Sequence, residues 1–128
     1  MTPDCRILRL APLLVLLAGC DIFDPGDCVA IGRFALNVIV KDSLTGGPPP
    51  TETRVIAREG EYADTLSMGI PNAAGTSFPL AVERTGSYVV TVEAPGYRTW
   101  SKANVVVKRS SGHCSELQTV TVLARLQR

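Results

Sequence analysis

Apolar and polar residues alternate along several short runs between residues 33 and 128, and turn-forming Pro and Gly residues separate these runs. In the clearest run one face collects the apolar residues Tyr88, Val90, Val92 and Ala94. Successive side chains of a β-strand point to opposite faces, so this period of two predicts strands that bury one face. Since no stretch of this region has a convincing helical period, the alternation predicts an all-β fold.

The runs predict seven short strands in one domain. Their expected ranges are 34–41, 53–58, 62–68, 78–83, 87–94, 99–109 and 117–126. The three prolines at 48–50 predict a loop, and so does the segment 70–77, which contains Pro71 and Gly75. Pro79 predicts that the strand over 78–83 lies at a sheet edge, because Pro cannot donate to a ladder. Seven strands with alternating faces predict two packed sheets, a β-sandwich.

Residues 1–19 have the pattern of a secretory signal peptide. Arg6 and Arg9 form a positive segment before the apolar run 10–17. Eight helical residues reach ~12 Å, which is far short of a ~30 Å hydrocarbon core. A transmembrane helix is therefore not expected. The alternative is that the apolar run forms a helix of the folded core, but Pro12 lies inside the run.

The run ends in Leu17-Ala18-Gly19-Cys20, which resembles the lipobox of bacterial lipoproteins. The resemblance implies that the Cys20 thiol receives a diacylglyceryl group and that the signal is cut before it. Residues 20–32 would then form a lipidated tether in the cell envelope, with membrane lipid as a partner through the acyl chains. The alternative is an ordinary signal peptide cut near Ala18 or Gly19, which would leave Cys20 free.

Four cysteines occur, and two of them remain for the folded domain. Cys5 leaves with the signal and Cys20 would carry lipid, so Cys28 and Cys114 are left. A compartment outside the cytoplasm permits disulfides. A Cys28–Cys114 bridge would close almost the whole domain and contribute very roughly 4 kcal/mol. The alternative is a pair of buried free thiols.

Charge and chemistry exclude several functions. Lys and Arg number 13 against 12 Asp and Glu, which excludes nucleic acid as the main partner, because phosphate binding needs a basic excess. The single histidine, His113, precedes Glu116 by the spacing of two zinc ligands, but no second histidine supplies a third ligand. Adjacent side chains on an extended segment point apart, so Cys114 is not expected to hydrogen-bond to His113 as a thiol nucleophile would. Ser110 or Ser111 with His113 lacks an oriented acid partner. We therefore expect no catalysis, no metal and no cofactor.

Two segments together resemble the carboxypeptidase regulatory-like domains. The first strand leads into Asp42-Ser43-Leu44-Thr45-Gly46, and the fifth runs from Gly86-Ser87-Tyr88 to Ala94-Pro95-Gly96-Tyr97. The resemblance covers about residues 33–108. It implies an immunoglobulin-like or transthyretin-like sandwich over 33–128, in a family whose members are usually accessory modules without catalysis of their own.

The expected function is a membrane-anchored, non-enzymatic binding or structural accessory module of the cell envelope, with a possible envelope protein or glycan as partner. The alternative is a carbohydrate- or peptide-binding module that uses the loop aromatics Tyr97 and Trp100. Packing on the core or at a corner is the more frequent role of such residues. Several scattered cations are expected to lie on solvated strand faces, namely Arg54, Arg58, Arg98, Lys102, Lys108 and Arg109.

Overall fold

The computed structural model describes Cys28 and residues 31–128. This part of the chain forms eight strands and no helix. The strands are β1 (Phe34–Asp42), β2 (Arg54–Glu59), β3 (Tyr62–Leu66), β4 (Ile70–Asn72), β5 (Gly75–Val82), β6 (Gly86–Glu93), β7 (Trp100–Val107) and β8 (Val120–Leu126). The expected all-β class is confirmed, whereas the expected number of seven strands is wrong.

The strands form two four-stranded sheets, in the orders β4-β5-β1-β8 and β3-β2-β6-β7. Hairpins join β2 to β3, β4 to β5 and β6 to β7 within a sheet. The chain crosses to the other sheet after each of β1, β3, β5 and β7. All pairs are antiparallel except β1 with β8, which run parallel.

One apolar core lies between the two sheets, as a β-sandwich requires. The alternating residues supply it: Val38 of β1 and Val90 of β6 are fully buried, and so are Val55 and Ala57 of β2. Tyr88 is also fully buried, and its hydroxyl donates a 2.7 Å hydrogen bond to the Arg84 carbonyl. A buried hydroxyl without such a partner would be costly, so this bond allows a tyrosine at the core.

The eighth strand, β4, lies in the segment 70–77 that the sequence predicts to be a loop. It is only three residues long and exposed throughout, so it shows no burial period that a sequence pattern can reveal. Asn72 ends it by accepting a hydrogen bond from the Ala74 N–H at 2.9 Å. Asn72 and Gly75 therefore do flank a turn, but this turn connects β4 to β5 in a hairpin.

The prediction that the Pro79 strand lies at a sheet edge is wrong, because β5 lies between β4 and β1. The proline is nevertheless tolerated for the expected reason. β4 pairs with β5 only from Gly75 to Ser77, so at Pro79 the strand has β1 as its one neighbour. The missing N–H of Pro79 therefore does not interrupt pairing on the β4 side.

A β-bulge in β7 changes which of its side chains face the core. Tyr88 pairs with Val105 but Val90 pairs with Lys102, so β7 holds one extra residue between these pairs. Asn104 lies there with φ of 57°, in the left-handed region that Asn tolerates better than most residues. The bulge turns Val105 and Val107 inward, and both are buried.

The sandwich has two ends, which we name for what they carry. The clasp end holds Cys28, residues 31–33 and the connections 60–61, 83–85 and 108–119. The loop end holds the connections 43–53, 67–69, 73–74 and 94–99, together with residues 127–128. β1 enters at the clasp end and reaches the loop end at Asp42. The candidate functional sites lie at these two ends.

Candidate functional site

The cysteines predicted to pair do so at the clasp end. Cys28 and Cys114 form a disulfide with a Cα–Cα distance of 5.4 Å across 86 sequence positions. The bond joins the residues that precede β1 to the connection between β7 and β8. The beginning of the domain is thereby fastened to its last crossover connection.

Ion pairs surround this disulfide. Arg33 lies 3.3 Å from Glu116, and Arg109 lies 3.0 Å from Glu83, whose carboxylate also accepts the Arg33 N–H at 2.7 Å. The backbone N–H of Arg33 and the guanidinium of Arg109 lower the pKa of Glu83. A pocket of about 260 Å³ between these groups and Leu117 has its charges balanced. This pocket therefore offers no unmatched charge to a ligand.

At the loop end, the Asp42 carboxylate organises the β1–β2 connection. Asp42 is only 4% exposed, and its Oδ1 accepts the backbone N–H groups of Leu44 at 2.8 Å and Thr45 at 2.9 Å. Its Oδ2 accepts the hydroxyl of Tyr97, and Arg128 lies 3.7 Å away. Gly46, with φ of 68°, closes the turn by donating to the Asp42 carbonyl at 3.0 Å.

These contacts stabilise the ionised form of the carboxyl group. The pKa of Asp42 is lowered from 3.8 to about 2, first by the Tyr97 hydroxyl and then by the Thr45 and Leu44 amides. Tyr97 is in turn covered by Arg128, whose guanidinium lies 5.3 Å from the ring centroid. Tyr97, predicted as a possible ligand contact, is thus engaged in holding two loops together.

Trp100, the other residue predicted for a ligand surface, lines a groove of about 430 Å³ at the loop end. The groove lies where β7 and β8, the edge strands of the two sheets, approach each other. The backbone N–H of Arg98 donates to the Gln127 carbonyl at 2.7 Å and joins the segments beside both strands. The remaining lining residues are Thr99, Leu123 and Arg125. Tyr97 is not among them.

The groove gathers cations that sequence reasoning did not place together. Among the described residues, five arginines have a carboxylate within 4 Å, whereas Arg58, Arg98 and Arg125 have none. Two of these three line the groove, and Asp and Glu are absent from its lining. Lys41 adds charge nearby, since it is the β1 neighbour of Arg125 in the parallel ladder. The sequence alone predicts Arg98 only as one of several scattered cations on solvated strand faces.

His113 and Cys114 are the residues that the sequence offers for metal or thiol chemistry. No group of three or more His, Cys, Asp or Glu residues among those described is placed to hold a metal ion. His113 is exposed, and the sulfur of its neighbour Cys114 is held in the disulfide. Cys114 therefore has no thiolate to act as a nucleophile while the bridge is intact.

The predicted signal peptide and the lipidation site Cys20 lie outside the described residues. Within Cys28 and 31–128, no helix has the length and apolar character needed to cross a bilayer. No family model, curated protein or solved structure matches the chain.

Proposed function

We propose that this chain is a lipid-anchored, non-catalytic binding or structural module of the bacterial cell envelope. The observation that supports it best is the Cys28–Cys114 disulfide, which fastens the chain to the clasp end eight positions after Cys20. Eight fully extended residues span at most about 28 Å. Acyl chains on Cys20 would therefore keep the clasp end near the membrane and leave the loop end free to meet other envelope components.

Two contacts support the finer proposal that the domain is an immunoglobulin-like or transthyretin-like sandwich related to the carboxypeptidase regulatory-like domains. Asp42 and Tyr97, which belong to the two segments that carry the resemblance, bind each other in the folded chain. Tyr88, near the start of β6, bonds to the carbonyl of Arg84 four residues upstream. A buried tyrosine in this position is typical of immunoglobulin-like sandwiches.

The anchor is tested by expressing the full chain in a bacterial host and analysing its N-terminal peptide by mass spectrometry. The proposal expects a peptide that begins at Cys20 and carries the mass of a diacylglyceryl group. It also expects the mature protein in the detergent phase of a phase partition. The variant Cys20→Ser should lose both properties. The matched control Cys5→Ser should keep both, because Cys5 lies in the removed signal.

Two results would contradict the anchor. One is a mature peptide that begins at another residue, which would indicate an ordinary secretory signal. The other is an unmodified Cys20 in a protein that leaves the membrane fraction at high salt. Either result leaves the fold and the groove near Trp100 unaffected, because neither depends on the lipid.

A further inference from the structure

The groove between β7 and β8 combines an aromatic surface with unmatched positive charge. Trp100 and Leu123 supply apolar surface, and Leu123 is 43% exposed. Arg98 and Arg125 supply guanidinium groups that no described carboxylate neutralises within 4 Å. A fixed guanidinium fork recognises a carboxylate through two parallel hydrogen bonds. The groove is therefore complementary to a ligand that is anionic and also has a flat apolar face.

We propose that this groove binds an acidic saccharide, a sugar unit that carries a carboxylate. The C–H face of the ring would pack on Trp100, and the carboxylate would accept hydrogen bonds from Arg98 and Arg125. The side chains of Thr99 and Gln127 line the same groove and offer hydrogen-bond partners to ring hydroxyls. This inference deepens the binding role proposed above and rests on it, but it does not require the lipid.

The size and composition of the groove favour such a ligand over larger anions. Its volume of about 430 Å³ is in the range of small-molecule sites. A nucleic acid strand would need a longer basic track with several stacking residues, and the groove offers one aromatic side chain. An apolar peptide would leave two arginines without partners in a buried interface, at a cost in affinity. A short acidic peptide would satisfy the charges but would leave Trp100 without a flat partner.

The same tryptophan provides the measurement, because Trp100 is the only one in the chain. The purified full-length protein, kept in a neutral detergent, is titrated with trigalacturonic acid while Trp100 fluorescence is recorded. The matched ligand is its methyl ester, which keeps the rings and removes the charge. We expect a saturable change with the acid and binding of the ester weaker by at least about tenfold. Triglutamate, the third arm, should also bind at least about tenfold more weakly than the acid.

Variants separate the groove from the rest of the surface. Arg98→Gln and Arg125→Gln should each weaken binding of the acid by about tenfold or more, since each removes a charged donor. Arg58→Gln is the matched control, because Arg58 also has no carboxylate within 4 Å but does not line the groove. This variant should bind the acid with unchanged affinity. All three side chains are exposed, so the folded state should tolerate these changes.

Four results would overturn the proposal. Equal affinity for the acid and its ester would show that charge is not recognised. Equal affinity for triglutamate would show that the sugar ring is not recognised. A fluorescence trace without change for every ligand would show that the groove takes none of them. A loss in Arg58→Gln equal to that in Arg125→Gln would assign binding to general surface charge. None of these results bears on the modification of Cys20.

Discussion

The hydroxyl of Tyr97 donates a hydrogen bond to Oδ2 of Asp42, which lies 55 positions earlier in the chain. The bond joins the connection after β6 to the last residue of β1, and these two strands belong to different sheets. The same carboxylate also accepts the amides of Leu44 and Thr45. One buried charge thus holds several segments of the loop end together, since Arg128 also lies 3.7 Å from Oδ2 of Asp42.

The Asp42 contacts predict an acid-dependent loss of stability. The pKa of this carboxyl is about 2 in the folded chain against an ordinary 3.8, so between these values the unfolded chain binds more protons. The stabilising contribution is complete above about pH 4 and decreases as the pH falls through about 2. Urea unfolding midpoints measured from about pH 5 to about pH 2 should therefore fall in this window. Asp42→Asn should be less stable at neutral pH and should lose this part of the decline.

The matched control is Glu52→Gln, an exposed carboxylate in the same connection. Glu52 makes no side-chain hydrogen bond or ion pair with the described residues. The urea midpoint of Glu52→Gln should therefore still fall as the pH is lowered. Tyr97→Phe keeps the ring and removes the main donor, and should move the pKa of Asp42 upward in a carboxyl-carbon NMR titration. An unchanged pKa in Tyr97→Phe would contradict the assigned cause.

The disulfide predicts that its two cysteines act as one unit. Cys28→Ser and Cys114→Ser should each lower the free energy of unfolding by about 4 kcal/mol, because the bond closes a loop of 86 positions. The double variant should lose no more than either single variant, since both changes remove the same bond. Urea unfolding under oxidising conditions measures all three. A double variant with roughly the summed loss would show that the two sulfurs stabilise the fold independently.

Replacement of Gly75, even by alanine, should destabilise the fold. Its φ is 141°, and a Cβ there would lie 2.9 Å from the Val40 carbonyl oxygen and 3.0 Å from Cγ2 of Ile39. Gly75→Ala should therefore cost about 2 to 5 kcal/mol through strain and crowding of β1. Gly60→Ala is the control, since its φ is 58° but its surroundings are open, and should cost about 1 to 2 kcal/mol. Equal losses in thermal unfolding would contradict the close approach of β5 to β1 at this position.

The bulge predicts that Asn104 can be replaced by glycine at less cost in stability than by a β-branched residue. Since its φ is 57°, Asn104→Gly should change the free energy of unfolding by no more than about 0.5 kcal/mol. Asn104→Val should cost about 1 to 2 kcal/mol, because a β-branched residue resists the left-handed region. Denaturant unfolding of both variants checks the difference. A valine variant as stable as the glycine variant would show that β7 has no bulge at this residue.

Local patterns in the sequence determined the all-β class and the inward face of most strands. Leu36, Val38 and Val40 illustrate this, as all three are fully buried where the period of two placed them. Such a pattern records the environment of one strand, and burial on one face is enough to produce it. The pairing of Cys28 with Cys114 was equally accessible, because the resemblance at Cys20 and the predicted removal of Cys5 left two cysteines.

Only the tertiary structure decided the features that depend on neighbouring strands. β4 has too few residues to show a period, and the position of β5 between β4 and β1 depends on its partners. Arg98 lies in the connection before β7, whereas Arg125 lies in β8, the edge strand of the other sheet. Nothing in their own segments indicates that they line one groove with Trp100. Alternation along a strand reports which face is buried, whereas the order of strands and the meeting of sheet edges arise from packing between distant segments.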